Sequence, residues 1–494
     1  MRITRVKVRV VPIVTLHRRA RSLPEYTVRQ SAVGPIGVTA LDINALIRAV
    51  RKMCKKISLK AKLLVLAWVA FGAPAIAQDL ESAIEADYGY LDKLFRHFHA
   101  HPELSMQEHE TSERLAAELA TLGYAIKRGI GGTGLVATMQ NGPGSRLMIR
   151  ADMDGLPVEE KTGLSYASTD RQVNLDGVEM PVMHACGHDM HMATLVGVAR
   201  QMAAARHLWS GTLHLVGQPA EEALGGARAM VADGLYDHIG RPDYALALHV
   251  IAKYPAGKII LNDGLMYSSA DTVKMRVRGI ATHGASPHLG RDPVLTAAQI
   301  VVALQPIITR EISPLEPALV TVGSFHAGTA PNVIADHADL HITVRANNES
   351  TRAYLLESIE RVALNTARAA GLPEDLLPEV VVAPFGAPTT TNDPQLSARV
   401  RSAIEAGMGS DAFVNWKQTD MGAEDFPDLV NIDPVIPSVY FEVGGTPPER
   451  LAEGDWADHH SGLFEIDPEP AIRSGVEAMT LAALDLLLPL TDGP

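Results

Sequence analysis

GTLHLVGQPAEEALGG, residues 211–226, opens as an apolar run and closes on two adjacent carboxylates. The stretch 211–217 is short, apolar and bounded by glycine and proline, which reads as a core strand. Gln218-Pro219 ends it, and Glu221 and Glu222 follow where the chain leaves the sheet. Neighbouring residues leaving a strand point in different directions, so one glutamate can hold a cation while the other reaches a water beside it. Adjacent Glu-Glu pairs also occur on solvated helix faces. Position separates the two readings, because open α/β sheets place their sites at the carboxyl ends of strands.

Working outward, 81–98 reads as a helix, and 131–139 with 145–151 as two strands joined by the turn-like Asn141-Gly142-Pro143-Gly144. A helix over 190–205, the strand 211–217, a helix over 225–233 and a strand at 244–250 continue the alternation. Such alternation predicts an α/β sheet with helices on both faces. The pattern changes at Thr272 to strand 273–279, helix 293–309, strands 318–325 and 338–345, helix 350–370 and strand 379–383. That β-α-β-β-α-β order is the split, ferredoxin-like arrangement, able to fold as an insertion. Helix and strand signals resume after the polar stretch 389–394. The expected domains are therefore 78–267 with 386–494, interrupted by 268–385.

The N-terminal region reads differently. Residues 53–77 carry a start-like Met53, the basic Lys55, Lys56, Lys60 and Lys62, an apolar run from Leu63 to Phe71 and the small-residue pattern Ala75-Ile76-Ala77. This is the layout of a secretory signal peptide cleaved before Gln78, and its apolar run is too short for a stable membrane span. Residues 1–52 are then a spurious extension from an upstream start, or a basic disordered arm. The expected location is periplasmic or secreted. Downstream of residue 77 the chain keeps 29 basic and 55 acidic residues, a net charge near −26. That charge argues against nucleic-acid and anionic-membrane partners. One cysteine, Cys186, remains in that part, so no internal disulfide can form.

Cys186 sits in MHACGHDMH, residues 183–191. Cys186 and His188 flank Gly187, and a thiolate with an imidazole suits zinc or a neighbouring late transition metal better than magnesium or calcium. The other reading is a buried thiol beside hydrogen-bonded histidines. His249 follows the apolar YALAL, His460 lies in DWADHHSGLFEID, and His283 lies in GIATHGASPH within the inserted segment. Together with Cys186, His188 and Glu222, these three histidines would fill a two-metal site.

The chain resembles the M20 metallopeptidases, specifically the aminoacylase and hippurate-hydrolase-like amidohydrolases. The resemblance rests on HPELSMQEHET (101–111), RADMDGLPVEE (150–160), MHACGHDMH, GQPAEE (217–222), ALHV (247–250), HGASPHLGRDP (283–293), GTAPNVIADHADL (328–340), GAEDF (422–426) and HSGLFEID (460–467). It covers essentially all of 85–490; Ala335 stands where related motifs often carry proline. It implies a mixed-sheet, zinc-peptidase-like catalytic domain with a ferredoxin-like lid and dimerisation domain inserted. It also implies that Cys186, His188, Glu222, His249 and His460 hold two divalent ions with Cys186 as the bridge. Zinc is expected first, and manganese, cobalt or nickel could occupy the same mixed donor set. His459 precedes His460, and the Ser-Gly-Leu-Phe frame favours His460 as the ligand.

By the same resemblance Glu221 is the general base toward a metal-activated water. His283 stabilises the developing oxyanion in the partner subunit's site of a homodimer, and Asn332 and Arg345 contact the substrate carboxylate. Asp152 and Asp154 would orient the ligands. The expected activity is hydrolysis of N-acyl or N-aroyl amino acids, small-molecule substrates like hippurate. An exported dipeptidase or carboxypeptidase of the same family is the alternative. A cysteine-nucleophile hydrolase, with Cys186 activated by His184 or His188, and an inactive metal-binding protein are further readings.

Overall fold

A computed structural model describes residues 73–489. The readings of 1–52 and 53–77 fall outside the described residues, apart from the backbone of 73–77. The main sheet has eight strands: β1 (Ala125–Ile130), β2 (Gly134–Asn141), β3 (Arg146–Asp152), β4 (Gly211–Gln218), β5 (Tyr244–Pro255), β6 (Ile259–Ile260), and, after an intervening segment, Phe413–Val414 and Ser438–Thr446. That segment forms a separate four-stranded sheet of β7 (Ser269–Arg278), β8 (Ala318–Ala327), β9 (His337–Ala346) and β10 (Glu379–Val382), so Phe413–Val414 is β11 and Ser438–Thr446 is β12.

The large sheet runs β1-β2-β4-β3-β5-β12-β6-β11. Its four central strands, β4, β3, β5 and β12, are parallel, while β1, β2 and β6 enter antiparallel. The central strands are near-continuous buried runs, as expected where both faces are covered. On one face lie α1 (Ala73–Ala100), α2 (His109–Thr121), α3 (His188–Ala204), α7 (Pro394–Met408) and α8 (Pro468–Leu486), whose Leu91, Leu115, Val196, Val400 and Val476 share a core with Leu215 and Leu248. The opposite face is covered by α4 (Gly226–Ala232) and short helices at Leu235–Ile239 and Pro427–Val430.

The smaller sheet runs β8-β9-β7-β10 and is antiparallel throughout. Helices α5 (Pro293–Pro306) and α6 (Glu349–Ala369) bury Ile300, Leu304, Leu355 and Ile359 against Val273, Met275, Ile342 and Val344. The core is distinct from the two that flank the large sheet. The α-helix expected over 293–309 stops at Pro306 and continues as a π-turn, Ile307–Glu311. The strand expected at 131–139 is displaced to 134–141. Gly131 and Gly132 instead make the turn out of β1, a strand whose charged Lys127 and Arg128 concealed it.

Candidate metal centre

The parallel strands bring four sequence segments to one end of the sheet. β3 ends at Asp152 beside Gln218 at the end of β4, and β5 carries His249 opposite Glu442 of β12. Cys186 lies in the loop before α3, and His188 is the first residue of that helix. Gly187 between them has φ 84°, and a Cβ there would come within 2.3 Å of Val250 Cγ1. Only glycine lets the thiol and imidazole on either side turn the same way.

Among the described residues five groups of donor atoms converge, each with its atoms within 4.8 Å of one another: Cys186, His188 and His249; Cys186, Glu222 and His460; His188, Glu221 and Glu222; Asp152, His188 and His191; and Glu221, Glu424 and Asp425. Cys186 Sγ faces His249 Nε2 at 3.5 Å. The other ring nitrogen of His249 is 2.5 Å from the Val250 carbonyl, which places the proton on Nδ1 and leaves the Nε2 lone pair toward the thiol. Glu222 Oε2 lies 3.3 Å from His460 Nε2. His188 turns Nδ1 to Asp154 at 3.3 Å and Nε2 to Glu221 and Glu222 at 3.8 and 3.9 Å. Among the described residues, both its nitrogens and Glu222 Oε1 are buried without a hydrogen-bond partner.

Neighbouring histidines differ from these. His191 Nδ1 is 2.6 Å from Asp152, and its Nε2 accepts the Val250 N–H at 2.8 Å, so neither nitrogen is available to a cation. His459 is half-buried, its ring packs against Phe464, and its Nε2 accepts the Ala252 N–H at 3.4 Å. His460 is the one of the adjacent pair that reaches Glu222.

Five buried carboxylates, Asp152, Asp154, Glu221, Glu424 and Asp425, crowd the site together with the half-buried Glu222. Arg150 lies fully buried among them, donating to Asp152 at 2.5 Å, to both oxygens of Glu424 at 2.7 and 3.2 Å, and to Gln218 at 2.7 Å. One guanidinium cannot balance this charge. Burial, then Glu424, Glu222 and Asp425, push the Glu221 carboxyl well above the usual range. Burial, then Glu222 and Glu221, push the Cys186 thiol up. Burial would lower the His188 imidazole, but Asp152 and Asp154 outweigh it and raise it to about 10. Orphaned imidazole and carboxylate atoms, a thiol and surplus negative charge fit two divalent cations.

The cluster floors a cleft of about 390 Å³, within the usual size range of small-ligand sites. Arg345, at the end of β9, lines it and donates to the Met421 carbonyl at 3.4 Å. His283 and Asn332 are exposed and lie together on the paired segments Thr282–His283 and Val333–Ile334 with the adjoining turn. Neither lines the cleft of its own chain. Sequence reasoning assigned no role to Arg150, Gln218, Glu424 or Glu108. Alternation in RADMD at the end of β3 was the available signal for Arg150, since residues 150, 152 and 154 can then face one side.

Residues 148–484 match the family described as Peptidase family M20/M25/M40. The hippurate hydrolase of Campylobacter jejuni subsp. jejuni is 35% identical over 339 residues, 68% of this chain and 84% of that protein. Thermostable carboxypeptidase 1 of Saccharolobus solfataricus is 32% identical over 413 residues, 83% of this chain and 98% of that protein. Among solved structures, the Bacillus subtilis YXEP protein, a dinuclear metal binding peptidase from the M20 family, aligns with TM-score 0.66 at 28% identity, covering 82% of this chain and 99% of its own.

Proposed function

The chain belongs to peptidase family M20/M25/M40 and is a hydrolase, and from that premise we propose that it cleaves N-acyl or N-aroyl amino acids to a carboxylic acid and an amino acid. The observation that carries this reading is the sharing of Cys186 by two donor groups, one with His188 and His249, the other with Glu222 and His460, on the floor of the cleft. These five residues would hold two divalent cations, zinc first. Such cations supply Lewis acidity toward water and toward a carbonyl oxygen.

Glu221 acts as the general base. Its carboxylate accepts a proton from the attacking water as the water oxygen bonds to the amide carbon. As the C–N bond breaks, Glu221 returns that proton to the leaving nitrogen. Arg345 lines the cleft, and its one hydrogen bond among the described residues goes to the Met421 carbonyl, which leaves a guanidinium suited to the substrate's carboxylate. Asn332 assists it. The exposure of His283 and its distance from its own cleft support its donation to a second copy, across a homodimer built on 268–385. Exposed Leu295 and Val302 on α5 suit that contact.

Two observations weigh against a cysteine nucleophile. The thiol is surrounded by carboxylates that oppose its ionisation, and the facing His249 is held well below its usual pKa by burial, His191 and His459. The test is a panel of N-acetyl, N-benzoyl and indole-acyl amino acids plus dipeptides, assayed for released amine before chelation, after it, and after each metal is restored. Hydrolysis of acyl amino acids that vanishes on chelation and returns with metal is expected. Preference for dipeptides would favour the peptidase alternative, and turnover indifferent to chelators would overturn the metal reading.

A further inference from the structure

Among the described residues, four that are not glycine adopt positive φ: Met106 (65°), Ala220 (48°), Leu224 (51°) and His460 (64°). Such conformations are strained for side chains with a Cβ and persist where the surroundings over-determine them. Three of the four bracket the metal centre. Ala220 immediately precedes Glu221, Leu224 follows Glu222 by two residues, and His460 is itself a candidate ligand.

One side chain joins Met106 to Ala220. Glu108 is fully buried, and its Oε1 accepts the N–H of Met106 at 2.9 Å and that of Ala220 at 2.8 Å. Its Oε2 takes the hydroxyl of Thr133. From the other side, Asp154 accepts the N–H of Glu221 with Oδ1 and that of Glu222 with Oδ2, each at 3.1 Å. Three consecutive amides, 220 to 222, are thus held by two buried carboxylates. Glu108 stands at the N-cap of α2 yet makes no side-chain cap bond there. It reaches instead across to a turn more than a hundred residues away.

We propose that Glu108 is a positioning residue for the general base: by fixing the left-handed turn at Ala220 it sets the direction in which the Glu221 carboxylate leaves the backbone. The inference rests on the reading of Glu221 as that base. Glu108 lies outside every group of candidate metal donors, so its loss should misdirect the base and spare the ions. A misplacement of about 1 Å in a catalytic group is enough to cost roughly 100-fold in rate.

The experiment compares Glu108→Leu, Glu108→Gln, Thr133→Val and Glu221→Ala with the unaltered enzyme on the fastest substrate of the panel, with metal content measured by inductively coupled plasma mass spectrometry. Glu108→Leu should lower kcat about 100-fold with KM and metal content unchanged. Glu108→Gln, which keeps the acceptor oxygen, should restore most of the rate. In the Glu221→Ala background, Glu108→Leu should cause no further loss, because groups acting as a unit are not additive. Equal kcat in Glu108→Leu and the unaltered enzyme, or full additivity with Glu221→Ala, overturns the inference. Should Glu108→Leu fail to fold, Thr133→Val decides: a fall in kcat at constant KM supports it, and an unchanged kcat overturns it. Full turnover in Glu221→Ala would instead refute the base assignment, whatever Glu108 does.

Discussion

Cys186 Sγ and His249 Nε2 face each other at 3.5 Å across the end of the central strands. Neither partner is charged by its own surroundings, since burial raises the thiol and lowers the imidazole. A cation between them would resolve both penalties by taking a thiolate and a neutral nitrogen together. Cys186→Ser should therefore lower bound metal below the level of the unaltered protein and reduce turnover in step, measured by elemental analysis beside the assay. Metal content unchanged by this substitution would contradict a bridging role.

Glu221 touches His188 and Glu222 but occupies no position in the two donor groups that share Cys186. Glu221→Ala should lower kcat by about 10²–10⁴-fold, the range for a general acid-base group, while both ions stay bound. Loss of metal in this variant would move Glu221 from base to ligand.

Arg150 is buried with Asp152, Glu424 and Asp425 around it. Removing one member of such a network leaves uncompensated charge, so Arg150→Met should destabilise the fold by about 3–5 kcal/mol. Urea titration with unchanged slope would show this as a lower midpoint; a midpoint equal to the parent's would show that the carboxylates are neutral in the folded protein.

His99 is buried between Asp189 at 2.7 Å and Glu160 at 3.1 Å. Burial alone would lower its pKa, but hydrogen bonds to the two carboxylates outweigh it and push it up to about 9. A folded-state value above the unfolded one, about 6.5, means that stability from the proton is complete below that pH and lost as pH rises through 9. The difference in melting temperature between the parent and His99→Gln should be largest near pH 6 and shrink as the pH approaches 9. A difference that grows with pH would invert the assignment.

His283 and Glu221 are required in different subunits if the proposed dimer is right. Inactive His283→Ala and Glu221→Ala proteins, mixed and allowed to exchange subunits, should recover up to about a quarter of the parent activity through mixed dimers with one intact site. Mixtures as inactive as their components would place His283 in its own chain's chemistry or in none.

Much of this was legible in one chain. Strands at 145–151, 211–217 and 244–250 announced themselves as buried runs, and the motifs carried the donor types Cys186, His188, Glu222, His249 and His460. The charged β1 escaped notice because its exposed side chains break the apolar pattern. Glu108 escaped because nothing local to it differs from an ordinary helix-capping carboxylate.

Local spacing encodes which residues leave a strand or start a helix, and residue type encodes which atoms can meet a soft cation. Those two kinds of information settle the class of fold and the chemistry of the donors. Strand order and register lie beyond them, because pairing depends on how distant faces pack. The folded chain puts His460, the histidine the motif frame favoured, against Glu222; it alone decided that His191 has both nitrogens occupied and that a single buried carboxylate ties Met106 to Ala220.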